Sequence, residues 1–377
     1  MDFSLTEEQT LLQDSVDKFV RDNCDVERRR SLNQTELGYD AEVWQQFAEL
    51  GWLCVPFTEE QGGFGGSAAD VMVMSEALSK GLVREPFLTT VVTCGGFLRL
   101  GGSAEQQAAH IPAIIEGAKQ WAFAFAEDAA GYNLAAVSAT AEASDGGFRL
   151  NGAKTAVLNG HHSDYLIVSA RTSGEARDKA GVSLFIVDAS QAGISKQAFN
   201  TVDGSRAANI EFKDVEVAAD QLLGELGNAL PLMEAVIDDS IIAMGGEALG
   251  AMQLLLNDTV EYTKTREQFG QPISNFQALQ HRMADMYLKV EETRSLLFNA
   301  AIQADEGSAD KAKACAALKV KIAEAGRFVS QEAIQLHGGI GMTDELNISH
   351  HFKRLLVLGM LYGDEDYYVS RYTALSA

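Results

Sequence analysis

The stretch Asp145-Gly146-Gly147-Phe148-Arg149-Leu150-Asn151-Gly152-Ala153-Lys154 lies near the middle of the 377-residue chain and carries two turn signals in close succession. Around it, from about residue 119 to residue 217, short apolar runs such as 165–169 and 182–187 recur between turn residues. This pattern is typical of β-strands. Residues 118–225 are therefore predicted to form a middle β-barrel or β-sandwich domain.

The regions on both sides of this domain follow the helical period instead. Towards the C-terminus, long periodic segments cover residues 230–266, 276–305 and 308–336, and such lengths suit antiparallel helices. The chain is predicted to be an α+β protein with an N-terminal helical domain at 1–117 and a C-terminal antiparallel helical bundle at 226–377. Because strands do not alternate with helices, a doubly wound nucleotide-binding fold is disfavoured.

Composition excludes several classes of function. The formal net charge is −23, from 53 acidic and 30 basic residues, which argues against a nucleic-acid partner and against an anionic membrane surface. No apolar run approaches the roughly 18 residues that span a bilayer, and the acidic N-terminus lacks the pattern of a secretion signal. The four cysteines form no C-x-x-C pair, and the adjacent histidines at 161–162 and 350–351 point apart. We expect a cytoplasmic protein without a metal site.

Two segments near the C-terminus could bind an anionic ligand. In Thr263-Lys264-Thr265-Arg266-Glu267-Gln268-Phe269-Gly270-Gln271-Pro272-Ile273, Arg266 ends one helical pattern before the chain turns into the next. Its guanidinium either forks onto a phosphate or satisfies the last carbonyls of its own helix. In Gln335-Leu336-His337-Gly338-Gly339-Ile340-Gly341-Met342, the glycines allow close approach to a pyrophosphate, and a Gly-rich helix cap explains them equally well.

Five segments in this order point to one known family. They are Thr6-Glu7-Glu8-Gln9, Val55-Pro56 with Glu59-Glu60-Gln61-Gly62-Gly63-Phe64-Gly65, Leu150-Asn151-Gly152-Ala153-Lys154, Lys264-Thr265-Arg266-Glu267-Gln268-Phe269-Gly270 and Gln335-Leu336-His337-Gly338-Gly339-Ile340-Gly341. Together with the α, β, α order they resemble the acyl-CoA dehydrogenase family. The resemblance covers essentially the whole chain.

The resemblance implies an FAD-dependent oxidoreductase that desaturates an acyl-CoA thioester, with an electron-transfer flavoprotein as electron acceptor. A carboxylate would remove the α proton while a β hydride passes to the flavin, and the protein would orient these groups in a dry pocket. In the family, the β-domain of one protomer holds the flavin ring and its neighbour contacts the ADP half. The ADP-contacting positions in this chain would be Arg266, Gln268, Phe269, Ile273, Phe276, Gln277, Gln335, Leu336, Gly338 and Gly339.

The positions that would contact the flavin ring depart from the family pattern. The family's Thr-Glu-Pro-x-Ala-Gly-Ser-Asp is replaced by residues 126–133, with Ala126 in place of the threonine and Tyr132 in place of the serine. The family's Trp-x-Thr-Asn-Gly is replaced by residues 156–160, with Ala156 and Leu158 in place of the tryptophan and threonine. We therefore expect a degenerate ring pocket in this chain's own β-domain.

The position of the family's catalytic base also lacks a carboxylate. In the place of the family's Tyr-Glu-Gly loop this chain has Leu361-Tyr362-Gly363-Asp364-Glu365-Asp366, so the base position holds Tyr362 or Gly363, and the earlier helix that carries the base in some members has Ser240. Asp364, Glu365 and Glu247 remain as candidates for the base.

These departures lead to a hypothesis about assembly. This chain would donate its ADP-contacting residues, called the ADP clamp below, to an FAD held by a paralogous acyl-CoA dehydrogenase chain in an α2β2 heterotetramer. It resembles the small subunit of enzymes for pimeloyl-CoA or steroid side-chain CoA thioesters, which implies a place in the β-oxidation of fatty acids or steroid side chains. Two alternatives stay open: a self-sufficient homomeric dehydrogenase or related flavin oxidase with Asp364 or Glu365 as base, and a non-catalytic stabilising subunit.

Overall fold

The computed structural model describes residues 5–377. The predicted α+β class, with helices, then strands, then helices, is confirmed. In chain order the described helices are α1 (Glu7–Asn23), α2 (Val26–Leu32), α3 (Ala41–Glu49), α4 (Ala68–Ser79), α5 (Gly95–Gly101), α6 (Ala104–Ile115), α7 (Leu230–Thr265), α8 (Gln277–Asp305), α9 (Lys311–His337), α10 (Asn347–Met360) and α11 (Glu365–Ala374). The described strands are β1 (Trp121–Ala124), β2 (Thr140–Ser144), β3 (Gly147–Leu158), β4 (Tyr165–Arg171), β5 (Val182–Asp188), β6 (Ile194–Asn200), β7 (Arg206–Ala218), β8 (Leu222–Leu223), β9 (Glu267–Gln268) and β10 (Gln271–Pro272).

The chain divides into two compact units, each of which draws on separate stretches of sequence. The first unit comprises the residues up to Gln34, Ser67–Val83 and Ile241–Ala377, and the second comprises Thr35–Gly66 and Arg84–Ser240. Residues from the N-terminal helical region therefore belong to both units. The domain boundaries at residues 117 and 225 stay a prediction.

Local capping interactions explain where the N-terminal helices begin. Thr6 and Gln9 cap α1 reciprocally, each side chain accepting a backbone N–H of the other at 3.1 Å. Ser67 and Asp70 do the same for α4, with hydrogen bonds of 3.2 and 2.7 Å. Such capping boxes satisfy backbone donors that have no partner inside the helix. The glycine-rich segment before Ser67 is thus a connection that ends at a helix cap.

The second unit is built around one eight-stranded sheet. Its strand order is β6-β7-β3-β2-β4-β5-β8, with β1 pairing in parallel with β4. The core on this sheet consists of buried apolar residues, including Leu150, Val168 and Phe185. Alternation of buried and exposed positions along β7 produces the period-two pattern seen in the sequence.

One predicted turn in the sheet is wrong. Asn151-Gly152 lies inside β3, where the pairing with β7 shifts register between Leu150 and Gly152, and the turn lies at Asp145-Gly146. Gly152 has φ +136°, and a Cβ there would come within 2.6 Å of the Ala139 Cα atom. The glycine is therefore needed for a β-bulge with a close backbone neighbour, and the same residue type favours bulges and tight turns.

The helices of the first unit pack closely. The observed α7, α8 and α9 agree with the three long periodic segments to within three residues at each end. Where α7 meets its neighbours it carries Gly245, at which a Cβ would come within 2.9 Å of the side chains of both Leu297 and Leu318. Within residues 5–377, no helix is long and apolar enough to cross a membrane, and no group of three or more His, Cys, Asp or Glu side chains could hold a metal ion.

Candidate functional site

The segment after α7 forms a tight hairpin in which β9 pairs antiparallel with β10. Phe269 and Gly270 form its turn, with φ values of +56° and +79°. The Phe269 side chain is 91% exposed, and its ring meets the Phe276 ring edge-on with centroids 6.1 Å apart. A large apolar residue in the left-handed region, held in solvent, is unfavourable for an isolated chain. The tip of the hairpin is therefore a candidate contact for a ligand or for another chain.

Arg266 stands at the base of this hairpin. Its backbone N–H donates to the Tyr262 carbonyl at 2.9 Å, and its carbonyl accepts from the Ile273 N–H at 2.8 Å. The side chain is exposed, and within residues 5–377 its guanidinium makes no hydrogen bond or ion pair. Of the two alternatives left open by the sequence, the structure therefore favours an arginine that is available to an anionic ligand.

The second segment forms the corner at the end of α9. Gly338 has φ +67° and ψ −143°, a conformation that is essentially restricted to glycine. A Cβ added at Gly338 or at Gly339 would meet no atom within 4 Å, so the backbone here borders open space. Gln335 is exposed, whereas Leu336 is buried and belongs to the packed interior. The corner is thus open to a ligand or to another chain.

The other predicted ADP-contacting residues lie around the hairpin. Ile273 and Phe276 are half-buried, and Gln277 is the exposed first residue of α8. The Gln268 amide donates to the Glu267 carbonyl at 2.8 Å. All of these positions belong to the first unit.

Tyr262 and His337 bring the hairpin and the corner together. Their rings stack with centroids 4.4 Å apart and planes 24° apart. The Tyr262 hydroxyl donates to the His337 carbonyl at 3.3 Å, and His337 Nδ1 lies 2.8 Å from the Ala333 carbonyl oxygen. Sequence analysis included His337 in the glycine-rich segment without a role of its own and did not identify Tyr262. The only signal available to it was their position, one helical turn before Arg266 and immediately before Gly338.

The chemistry of this region fits the ADP half of FAD. A diphosphate needs a fork-shaped cation and a backbone that it can approach closely, and an adenine edge needs an amide. Arg266 supplies the fork-shaped cation, Gly338 and Gly339 supply a backbone that a diphosphate can approach, and Gln335 supplies the amide. The residues present therefore fit the group that the sequence resemblance implies.

The predicted ring-contacting positions belong to the second unit and offer little to a flavin ring. Ala126 is half-buried, and its carbonyl accepts the Thr155 N–H at 2.8 Å. Ala156 is exposed with φ +51°, and its N–H donates to the Asn209 side chain at 3.1 Å. Leu158 and Tyr132 are half-buried. The alanines and Leu158 have no side-chain polar atom with which to bind a ring nitrogen or oxygen.

A buried ion pair holds the segment that carries these positions. The Lys154 ammonium is fully buried and donates to the Glu127 carboxylate at 2.7 Å, to the Ser169 hydroxyl at 3.1 Å and to the Phe125 carbonyl at 3.2 Å. Burial lowers the pKa of Lys154 to about 8, although the carboxylate acts in the opposite direction. Burial alone would raise the pKa of Glu127, but Lys154 and two backbone N–H donors hold it below its ordinary value.

The three candidate bases already have structural partners. Glu247 forms an ion pair with Arg354, with Oε2 2.9 Å from Nη2. The Asp364 carboxylate caps α11 by accepting the backbone N–H three residues on at 2.9 Å. Glu365 pairs with Arg327 at 3.2 Å. Each carboxylate is thus explained by fold-stabilising contacts, and their use as a base stays a prediction.

The turn between α10 and α11 contains Tyr362 and Gly363, the two residues predicted to lie at the position of the family's base. Tyr362 is buried with φ +61°, and Gly363 follows with φ +142°. A cavity of about 400 Å³ lies beside the turn between α10 and α11. It is lined by residues of α9, α10 and the start of α11, including Asp364 and Glu365. Ser240, at the alternative base position, hydrogen-bonds Thr93 at 2.9 Å.

A buried lysine that sequence analysis did not identify, Lys319, forms hydrogen bonds with backbone carbonyls on both sides of the turn between α10 and α11. The Lys319 side chain is fully buried and donates to the carbonyls of Gly359 at 2.8 Å and Gly363 at 2.7 Å. Its ammonium also lies 5.5 Å from the centroid of the Tyr368 ring. Nothing in its sequence surroundings distinguishes this lysine from the half-buried Lys311, Lys313 and Lys321 of the same helix, because the packing of α9 against the α10–α11 turn is what buries it.

Comparison with known proteins gives consistent matches along the chain. Three family models match: the N-terminal domain of acyl-CoA dehydrogenase over residues 6–118, the middle domain over 122–215 and the C-terminal domain over 230–371. The chain is 30% identical over 377 residues to a short-chain specific acyl-CoA dehydrogenase of Megasphaera elsdenii, with 97% of each chain covered. Among solved structures it is similar to the ChsE4-ChsE5 complex from Mycobacterium tuberculosis, with 28% identity, 99% of this chain and 98% of that chain covered and a TM-score of 0.89. It is also similar to the FAD complex of PigA, with 28% identity, 100% of both chains covered and a TM-score of 0.91.

Proposed function

The chain belongs to the acyl-CoA dehydrogenase family, and from this we propose that it is one subunit of a heteromeric, FAD-dependent acyl-CoA dehydrogenase. It donates the ADP clamp to a flavin whose ring is held by a paralogous partner chain. The reaction is the α,β-desaturation of an acyl-CoA thioester, with an electron-transfer flavoprotein as acceptor. FAD, when bound, supplies the hydride acceptor.

The observation that carries this proposal is the contrast between an open clamp and an apolar ring side. The clamp presents an unpaired guanidinium on Arg266, a 91% exposed aromatic ring on Phe269 and a bare backbone at Gly338. The ring side presents Ala126 and Ala156, whose side chains form no hydrogen bonds. A chain with this distribution is equipped to complete a neighbour's cofactor site better than its own.

The negative net charge of the chain makes the cation of the ADP clamp important for binding an anionic cofactor. The whole chain carries a net charge of −23, whereas FAD and CoA are both anionic. Binding therefore depends on cations placed where phosphates lie, and the fork of a guanidinium suits a diphosphate better than an ammonium does. Arg266 is such a cation, and its backbone is fixed on both sides by hydrogen bonds to Tyr262 and Ile273.

The heteromeric part of the proposal draws support from a solved relative. The ChsE4-ChsE5 structure is a complex of two differently named chains, and this chain matches it over 99% of its length. The two positions that would carry the family's base hold Tyr362 or Gly363 and Ser240, none of which has a carboxylate. This agrees with a base that lies on the partner. The acyl group in the proposal is a bulky one, such as a steroid side chain or a pimeloyl chain.

The test is to purify the chain alone and together with a paralogous acyl-CoA dehydrogenase chain from the same genome, and to measure visible flavin absorbance per protomer. The proposal expects flavin in the complex and little in the lone chain. Arg266→Ala should release flavin from the complex, because a contact between charged groups is lost. Arg30→Ala, which removes an exposed arginine of α2, is the matched control and should leave flavin content unchanged.

Turnover of the complex tests the position of the base. Asp364→Asn should leave the rate nearly unchanged, because the structure explains Asp364 as a helix cap. A large loss of rate would place the base on this chain and favour the self-sufficient enzyme. Full flavin occupancy in the lone chain would overturn the partner hypothesis. Unchanged flavin content in the Arg266→Ala complex would overturn the clamp.

A further inference from the structure

The stacked pair Tyr262 and His337 lies directly behind the clamp. The two residues are 75 positions apart in the sequence, yet their ring centroids are 4.4 Å apart. Tyr262 precedes Arg266 by one helical turn and accepts its backbone N–H, and His337 immediately precedes Gly338. The pair therefore joins the ends of α7 and α9 at the points from which the clamp residues emerge.

The location of the clamp poses an electrostatic problem. Both segments follow the C-terminal end of a helix, α7 before Arg266 and α9 before Gly338. The last carbonyls of a helix lack intrahelical partners and carry partial negative charge, which repels an anion such as a diphosphate. The Tyr262 hydroxyl donates to one of these carbonyls, that of His337. This hydrogen bond reduces the negative potential at the corner.

The pair also addresses the entropy of binding. Two flexible exposed segments that must both grip one ligand lose conformational freedom on binding, and a rigid arrangement formed beforehand avoids this loss. His337 is 6% exposed, and its Nδ1 is anchored to the Ala333 carbonyl at 2.8 Å. The ring of Tyr262 thus stacks on a group that is itself fixed on α9.

On the basis of the proposed function, we infer that Tyr262 and His337 are positioning residues that hold the Arg266 hairpin and the Gln335–Gly339 corner in one arrangement for binding the diphosphate of FAD. Neither side chain needs to touch the cofactor. The ring of Tyr262 sets the distance between the two segments, and its hydroxyl lowers the negative charge of the carbonyl at the corner. The two contributions can be separated by substitution.

The experiment measures the dissociation constant of FAD for the flavin-depleted complex, together with the urea unfolding midpoint without FAD. Tyr262→Phe keeps the ring and should weaken FAD binding about fivefold, the effect of losing one neutral hydrogen bond. Tyr262→Leu removes the stack as well and should weaken binding by a further factor of about five to ten. Tyr287→Phe, at an exposed tyrosine of α8, is the matched control and should change neither quantity.

A double-mutant cycle distinguishes positioning from general stabilisation. If Tyr262 acts through Arg266, the effect of Tyr262→Leu on FAD affinity should shrink at least threefold when Arg266 is already alanine. A lower urea midpoint with unchanged FAD affinity in Tyr262→Phe would overturn the inference, as would full additivity in the cycle. Unchanged affinity in Arg266→Ala alone would instead overturn the proposed function. Weakened binding in Arg266→Ala beside unchanged binding in both Tyr262 variants would overturn the positioning role and leave the clamp intact.

Discussion

Replacing Lys319 by methionine should change how the stability of the chain depends on pH. Lys319 is fully buried, and its ammonium donates to the carbonyls of Gly359 and Gly363 at 2.8 and 2.7 Å. Burial lowers the pKa of Lys319 from 10.5 to about 7, and the charge of Asp364 opposes this only in part. The native chain therefore bears a penalty for an ammonium that the unfolded chain hydrates freely.

The sign and size of the effect follow from proton linkage. Below pH 7 the amine is charged in both states, and the folded state bears the full penalty. Above pH 7 the folded amine loses its proton first, so the unfolded state binds more protons and stability rises with pH until about pH 10.5. Summed from about pH 6 to about pH 9, the gain in the free energy of unfolding is about 2–3 kcal/mol. Lys319→Met lacks this contribution.

Urea unfolding of the wild-type chain and of Lys319→Met at several pH values measures the difference directly. Methionine also leaves two carbonyls without a donor, but that cost is independent of pH and cancels when the two curves are compared. The free energy of unfolding of the wild type should rise by about 2–3 kcal/mol relative to the variant as the pH rises from about 6 to about 9. Lys18→Met, at an exposed lysine of α1, is the control and should run parallel to the wild type. If the free energies of unfolding of the wild type and of Lys319→Met differ by the same amount at every pH in this range, the reasoning is refuted.

Three further substitutions test other features. Lys154→Met should destabilise the second unit by about 3–5 kcal/mol in calorimetry, because the Glu127 carboxylate is left half-buried without its cation; a companion Glu127→Leu change should recover part of the loss. Gly338→Ala should cost about 1–3 kcal/mol in a thermal melt, because a residue with a Cβ is strained at the positive φ of this position even though the space around it is open; Gly339 has no positive φ, so Gly339→Ala should lie near the wild type. Asp364→Asn should keep the cap of α11, because an amide oxygen accepts the same N–H; a loss of more than about 1 kcal/mol would contradict that role.

Local patterns in the sequence were sufficient to predict many of the helices. The helical period over residues 230–336 predicted α7, α8 and α9 to within three residues at each end. Such features depend on contacts within one or two turns, which a sequence displays directly. The pair Asn151-Gly152 shows where this fails, because a turn and a bulge demand the same residue types. The neighbour that decides between them, Ala139, is brought close only by folding.

The sequence by itself determined the order of helices and strands and the family resemblance, and it identified Arg266 and Gly338 as candidate ligand-binding residues. Only the tertiary structure decided which of these residues act together. The ion pair of Glu247 with Arg354 joins positions 107 apart, and the stack of Tyr262 on His337 joins positions 75 apart. The physical reason is that caps and periodicity are short-range interactions along the chain, whereas partners, burial and pKa arise from helices that pack side by side.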